Sequence, residues 1–156
     1  MKVTFWARLP FAAEAVEEEL RRVPQAELRI VRDIEDLLPL LDRTELLVLP
    51  DAPEAMAQRV VERIAAGGER RFAMHFNSAG REGFDAAGIP PWVGVTQAQG
   101  ALASTIAEHV MGMAIALNRG FGHAFEMQRL GRWSAPDIGA LASVSGSRLL
   151  LVGLGN

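Results

Sequence analysis

ELLVLPDAPE, Glu45 to Glu54, carries the signal that decides the fold. A short apolar run, Glu45 to Leu49, reads as a strand, and Asp51-Ala52-Pro53-Glu54 directly after it is a helix-start signature. Met56, Val60 and Ile64 then recur at four-residue spacing until Gly67-Gly68 ends the helix. A strand that passes into a helix through a short connection is half of a parallel unit. If the pattern repeats along the chain, the sheet is parallel and has helices on both faces.

It repeats in both directions. Upstream, Lys2 to Ala7 is a strand and Ala12 to Val23 a helix, with Val16, Leu20 and Val23 on one side, Glu17-Glu18-Glu19 and Arg21-Arg22 on the other, and Pro24 closing it. Leu28 to Val31 is a second strand. Asp33 is the expected N-cap of a short helix through Ile34, Leu37, Leu38 and Leu41, made irregular by Pro39. Downstream, Arg71 to Phe76 is a fourth strand and Val93 to Thr96 a fifth. Ala101 to Arg119 follows as the best helix in the chain, with Ile106, Val110, Met113 and Leu117 on one face and Gly112 allowing close approach. A further helix spans Phe121 to Leu130, a linker-like stretch rich in small residues runs from Gly131 to Ser147, and Arg148 to Val152 reads as a last strand.

Composition narrows the function classes. With 156 residues the chain holds one domain of ordinary size plus a remnant, and 49% hydrophobic residues supply a good core. A net charge of -3 without clustered Lys and Arg argues against a nucleic-acid partner. The absence of cysteine removes disulfides, thiolate metal sites and cysteine nucleophiles. No signal-peptide pattern opens the chain, and no apolar run approaches the roughly 20 residues that span a bilayer. The expectation is a cytoplasmic protein without a membrane partner.

In a parallel α/β sheet, ligands bind beyond the carboxyl ends of the strands near a topological switch point. That rule selects Pro50-Asp51, Asn77 to Arg81, and Thr96 to Gly100. The loop Ser78-Ala79-Gly80-Arg81 has small side chains and exposed backbone N–H groups, which can hold an anion by amide donors alone. The alternative is a turn that needs Gly for its backbone angles.

Other polar residues read as structural. Ser104 or Thr105 is the expected cap of the long helix. His109 reads as a structural partner of Glu108, His75 lies inside a strand and His123 on an exposed helix, so none of the three is the expected catalytic base. Asp51, Glu82 and Asp85 lie near the ligand rim as caps or solvated carboxylates, and no spacing points to a metal. Met111, Met113 and Met127 are core or interface filler, and Trp133 either anchors a partner or packs under the linker. At the end of the chain, Gly153-Leu154-Gly155 after Leu149 to Val152 supplies a strand and the first two glycines of a dinucleotide-binding turn.

Taken in order, Asn77-Ser-Ala-Gly80 with Arg81-Glu82, Gly94-Val-Thr96-Gln97 with Gly100, Thr105-Ile-Ala-Glu-His109, Leu117-Asn118-Arg119, Gly131-Arg-Trp133 and Leu151-Val-Gly-Leu-Gly155 resemble the D-isomer-specific 2-hydroxyacid dehydrogenase family. The likeness covers Phe72 to Asn156 well and the earlier part in general architecture. It implies a flavodoxin-like substrate domain over residues 1–100. A long linking and dimerisation helix with its linker follows over 101–147, and the first strand and glycine turn of a Rossmann NAD(P)-binding domain over 148–156. The resemblance further implies that backbone N–H groups of Ala79, Gly80 and Arg81 hold the substrate carboxylate, that Thr105 and Ile106 lie by the nicotinamide, and that Gly153 and Gly155 meet the pyrophosphate. Gln97 stands where the family more often has Asn, and Glu82 where it more often has Asp.

The implied activity is hydride transfer between NAD or NADP and a small 2-oxo or 2-hydroxy acid of the glyoxylate or hydroxypyruvate kind, in a homodimer whose interface includes the long helix. The family's catalytic Arg, Glu and His belong to the later cofactor domain, so no catalytic residue is assigned here. The expectation is that the natural polypeptide is longer and that this piece alone is inactive. The rival readings are a freestanding flavodoxin-like binding or regulatory module and a non-enzymatic corepressor-like relative.

Overall fold

The computed structural model describes residues 1–133 and 141–153. The chain forms two compact units, Met1–Gln99 and Gly100–Asn156. The first contains strands β1 (Lys2–Trp6), β2 (Glu27–Val31), β3 (Leu46–Leu49), β4 (Ala73–Phe76) and β5 (Gly94–Gln97), and helices α1 (Ala13–Arg21), α2 (Ile34–Leu37), α3 (Glu54–Ala66) and α4 (Glu82–Ala87). All neighbouring strands pair in parallel in the order β2-β1-β3-β4-β5, which is the doubly wound flavodoxin-like arrangement.

Alternation along each strand assigns side chains to two cores. Trp6, Leu47, Leu49, Met74 and Phe76 meet Ile34 and Leu37 of α2, Val60 and Ile64 of α3 and Phe84 of α4 on one face. Val3, Phe5 and Val48 point the other way, toward Ala13, Val16 and Leu20 of α1. Helices therefore cover both faces, as the alternating pattern predicts. Rings of Phe76 and Phe84 meet edge to face at 5.2 Å, a geometry favoured by the aromatic quadrupole. Polar groups within the core find partners: the Trp6 indole N–H donates to the Arg32 carbonyl at 3.0 Å, and the hydroxyls of Thr4 and Thr44 bond each other at 2.7 Å.

Local departures have local causes. After α2 the chain tightens into a 3-10 helix over Leu38–Arg43, because Pro39 supplies no N–H for a regular α-helical ladder. Asp33 occupies the N-cap position of α2, yet its side chain makes no capping bond. At the amino end of β3, Glu45 accepts the backbone N–H of Lys2 at 2.7 Å. That bond holds the Glu45 carboxyl below its ordinary range.

The second unit contains α5 (Ala103–Asn118) and α6 (Phe121–Arg129). Leu102, and neither Ser104 nor Thr105, takes the N-cap position of α5, and no side chain caps it. The Asn118 side chain turns back to the Ala114 carbonyl at 2.8 Å, and the Asn118 carbonyl accepts the N–H of Ala142 at 2.9 Å. Phe121 and Phe125 stack edge to face at 6.2 Å. Within α6, the Arg129 guanidinium holds the Glu126 carboxyl below its ordinary range.

Arg148 to Val152, expected as a last strand, pairs with no strand among the described residues, and its apolar side chains are exposed. A parallel strand exists only through its ladder, so an apolar run without a flanking strand stays irregular. Among the described residues no helix is long and apolar enough to cross a membrane.

Candidate functional site

Beyond β1 the chain runs to β2 on one side, then crosses to β3 on the other, so the switch point lies between the carboxyl ends of β1 and β3. A cleft of about 490 Å³ opens there, lined by Arg8 and Leu9 after β1, Pro50, Asp51 and Ala52 after β3, and Ser78 and Gly83 after β4. Its walls are mostly apolar, with a few polar groups, the usual composition of a small-molecule site.

Asp51 organises the polar side of the cleft. Its carbonyl accepts Arg8 Nη2 at 2.6 Å, its N–H donates to Ser78 Oγ at 3.1 Å, and its Oδ2 accepts the N–H of Gly83 at 3.3 Å. Glycine is required at position 83 because a Cβ there would lie 1.8 Å from the Ala52 carbonyl oxygen. Arg8 Nε, Asp51 Oδ1 and Asn77 Oδ1 are buried and have no hydrogen-bond partner among the described residues. Such orphaned atoms are uncommon in folded proteins and call for an explanation; two others, Arg70 Nε and His123 Nε2, are not among the residues lining this cleft.

The loop after β4 is held from its carbonyl side. Ser78 Oγ donates to the Gly80 carbonyl at 2.7 Å, and Gln97 Nε2, at the end of β5, donates to the Ala79 carbonyl at 3.1 Å. The N–H groups of Ala79, Gly80 and Arg81 donate no hydrogen bond to any described residue. The Arg81 side chain pairs with Asp85 at 3.2 Å. Three consecutive free amides beside a cleft can receive an anion without any charged ligand residue.

The second unit holds the other expected residues. Thr105 and Ile106 lie exposed in the first turn of α5, Ile106 at 58%. Gly153 has φ 95°, a left-handed conformation that suits a tight turn, and open space where a Cβ would stand. Gly155 lies outside the described residues. The structure thus gathers Ala79, Gly80 and Arg81 in one loop of the first unit, and carries Thr105, Ile106 and Gly153 on the second.

Among the histidines, His75 Nδ1 bonds Thr96 Oγ1 at 2.8 Å across β4 and β5. His109 is exposed and does not pair with Glu108, because adjacent helical residues point to different sides. No group of three or more His, Asp or Glu among the described residues is arranged to hold a metal ion.

No family model and no curated protein matches the chain. A solved structure does: the crystal structure of a D-isomer specific 2-hydroxyacid dehydrogenase family protein from Aeromonas salmonicida subsp. salmonicida A449. It matches with a TM-score of 0.66 at 15% sequence identity, over 85% of this chain and 40% of that one. The fold is a dehydrogenase-domain fold. This chain therefore spans well under half the length of that dehydrogenase-family protein.

One residue of the cleft escapes the sequence reading: Arg8, the first polar side chain beyond β1. Asp51 is selected there by its position but expected as a cap or solvated carboxylate, whereas it is half-buried and joins three segments. The switch-point rule that selects Asp51 also finds Arg8, once β1 is recognised as one of its two strands.

Proposed function

We propose that this chain is the substrate-binding part of a D-2-hydroxyacid dehydrogenase, which transfers hydride between NAD(P)H and a small 2-oxo acid such as glyoxylate or hydroxypyruvate. The observation that carries this reading is the set of free amides at Ala79, Gly80 and Arg81, at a strand's carboxyl end beside the switch-point cleft. A 2-oxo acid brings a carboxylate, which such amides neutralise through oriented dipoles. The dehydrogenase-domain fold supports the same assignment.

The cofactor, NAD or NADP, supplies the hydride when bound, and Gly153, Gly155, Thr105 and Ile106 are the residues proposed to face it. The turn conformation of Gly153 fits a pyrophosphate-binding loop. Proton donation and carbonyl polarisation are assigned to residues of the cofactor domain outside this sequence, so the chain alone is proposed to be inactive. The exposed stripe of Ile106, Val110, Met113 and Leu117 supports a homodimer built on α5; a cytoplasmic location is proposed with the dehydrogenase reading.

NADH oxidation by the full natural polypeptide tests the assignment. Turnover of glyoxylate, hydroxypyruvate or a close analogue is expected, and no oxidation with any small 2-oxo acid would reject it. Sedimentation of the same polypeptide as a monomer would reject the dimer.

A further inference from the structure

The free amides of the loop after β4 are useful to a carboxylate only if they point at it. A trans peptide is planar, with its C=O and the following N–H directed oppositely, so a bond that pins one residue's carbonyl also aims the next residue's N–H. Two such pins are present. Gln97 Nε2 holds the Ala79 carbonyl at 3.1 Å, which sets the plane carrying the Gly80 N–H. Ser78 Oγ holds the Gly80 carbonyl at 2.7 Å, which sets the plane carrying the Arg81 N–H. We propose that Ser78 and Gln97 are positioning residues, each aiming one specific amide at the substrate carboxylate. The functional half of this proposal rests on the dehydrogenase reading; the aiming itself does not.

Neither pin stands alone. Ser78 Oγ also accepts the N–H of Asp51 at 3.1 Å, and Asp51 is tied in turn by Arg8 and Gly83, so the hydroxyl is anchored to the strand ends around the switch point. Gln97 occupies the last position of β5, in register with Phe76 at the end of β4. Its amide therefore comes from a residue fixed by the sheet ladder. A hydrogen bond to a peptide carbonyl also polarises that peptide and strengthens its N–H as a donor. Both effects act on substrate binding before any hydride moves.

The test uses the full natural polypeptide labelled with ¹⁵N-glycine and ¹⁵N-arginine, and the variants Ser78→Ala, Ser78→Thr, Gln97→Asn and Gln97→Glu. Ser78→Ala is expected to shift the Arg81 amide resonance and leave that of Gly80 in place. Gln97→Asn, whose shorter side chain falls short of the Ala79 carbonyl, is expected to shift Gly80 and leave Arg81. Gln97→Glu replaces the donor by a carboxylate and is expected to exceed Gln97→Asn in the same direction. In steady-state assays each loss variant raises KM for the 2-oxo acid about tenfold, with kcat and the coenzyme KM within about twofold of the parent. Ser78→Thr keeps the hydroxyl and restores KM.

If the two variants shift the same resonances, or neither moves the assigned amide, the aiming is refuted. A fall in kcat at unchanged KM would refute the functional role. If the parent itself turns over no 2-oxo acid, the dehydrogenase reading fails, while the resonances still decide whether Ser78 and Gln97 aim the amides.

Discussion

Helices α3 and α5 carry the same apolar rhythm and meet opposite fates. In α3, Ala57, Val60, Val61 and Ile64 are buried against the sheet. In α5, Ile106, Val110, Met113 and Leu117 repeat the spacing but stand 58, 44, 52 and 78% exposed, and no residue of the helix is buried. Periodicity thus reports that a helix has a face, and says nothing about what covers it. The difference also separates stability from association: α3 belongs to a finished core, while the surface of α5 is the kind that oligomers use.

Substitutions sharpen this contrast in decreasing order of effect. Phe76→Ala removes a ring buried between β4 and α4 and is expected to cost about 3 to 5 kcal/mol, read from the midpoint of urea unfolding. Gly83→Ala forces a methyl group into the Ala52 carbonyl and is expected to cost about 2 to 3 kcal/mol in the same assay, since the helix start must move. Leu117→Ala on α5 should weaken the proposed dimer in sedimentation but change unfolding of the monomer by less than about 0.5 kcal/mol, although it deletes as many atoms as a core Leu→Ala. A loss of several kcal/mol in the monomer would break the comparison.

The smallest effect is a matter of pH. The Lys2 N–H keeps the Glu45 carboxyl below its ordinary range, so the folded chain favours the charged form. The resulting stabilisation is complete above the unfolded-state value and is lost as the pH falls through the folded-state value. Glu45→Gln should therefore lower stability slightly at neutral pH, converge with the parent in acid and so flatten the acid limb, as measured by thermal unfolding from acidic to neutral buffers. An unchanged acid limb would remove Glu45 from the account.

The two-sided parallel sheet was legible because its strands are short, β1, β3 and β4 are mostly apolar, and helix signals follow β1, β2 and β3. Pro39 marked the irregular helix for a local reason, its missing N–H. The run Leu149-Leu-Leu-Val152 misled, since a strand's hydrogen bonds belong to its neighbours and hydrophobicity alone cannot supply them. Asp33 and Thr105 misled similarly: a capping residue type at a helix start does not ensure a capping bond.

The amide loop was visible in the small residues Ser78-Ala79-Gly80. What holds it was not: the Gln97 pin comes from a sequence-distant position that only the strand order makes adjacent, and the local Ser78 pin is itself anchored by the distant Asp51. Arg8 reaches Asp51 across 43 positions and Gln97 reaches Ala79 across 18.

The position of β1 has a consequence for how the chain is made. Of the strands in this sheet it is the first to be synthesised, yet it lies inside the sheet between β2 and β3, with Val3 in register with both Leu28 and Leu46. Its second neighbour does not exist until more than forty further residues have been synthesised. Until then the edge of β1 toward β3 has no ladder partner, so the nascent segment stays open to pairing with a foreign strand.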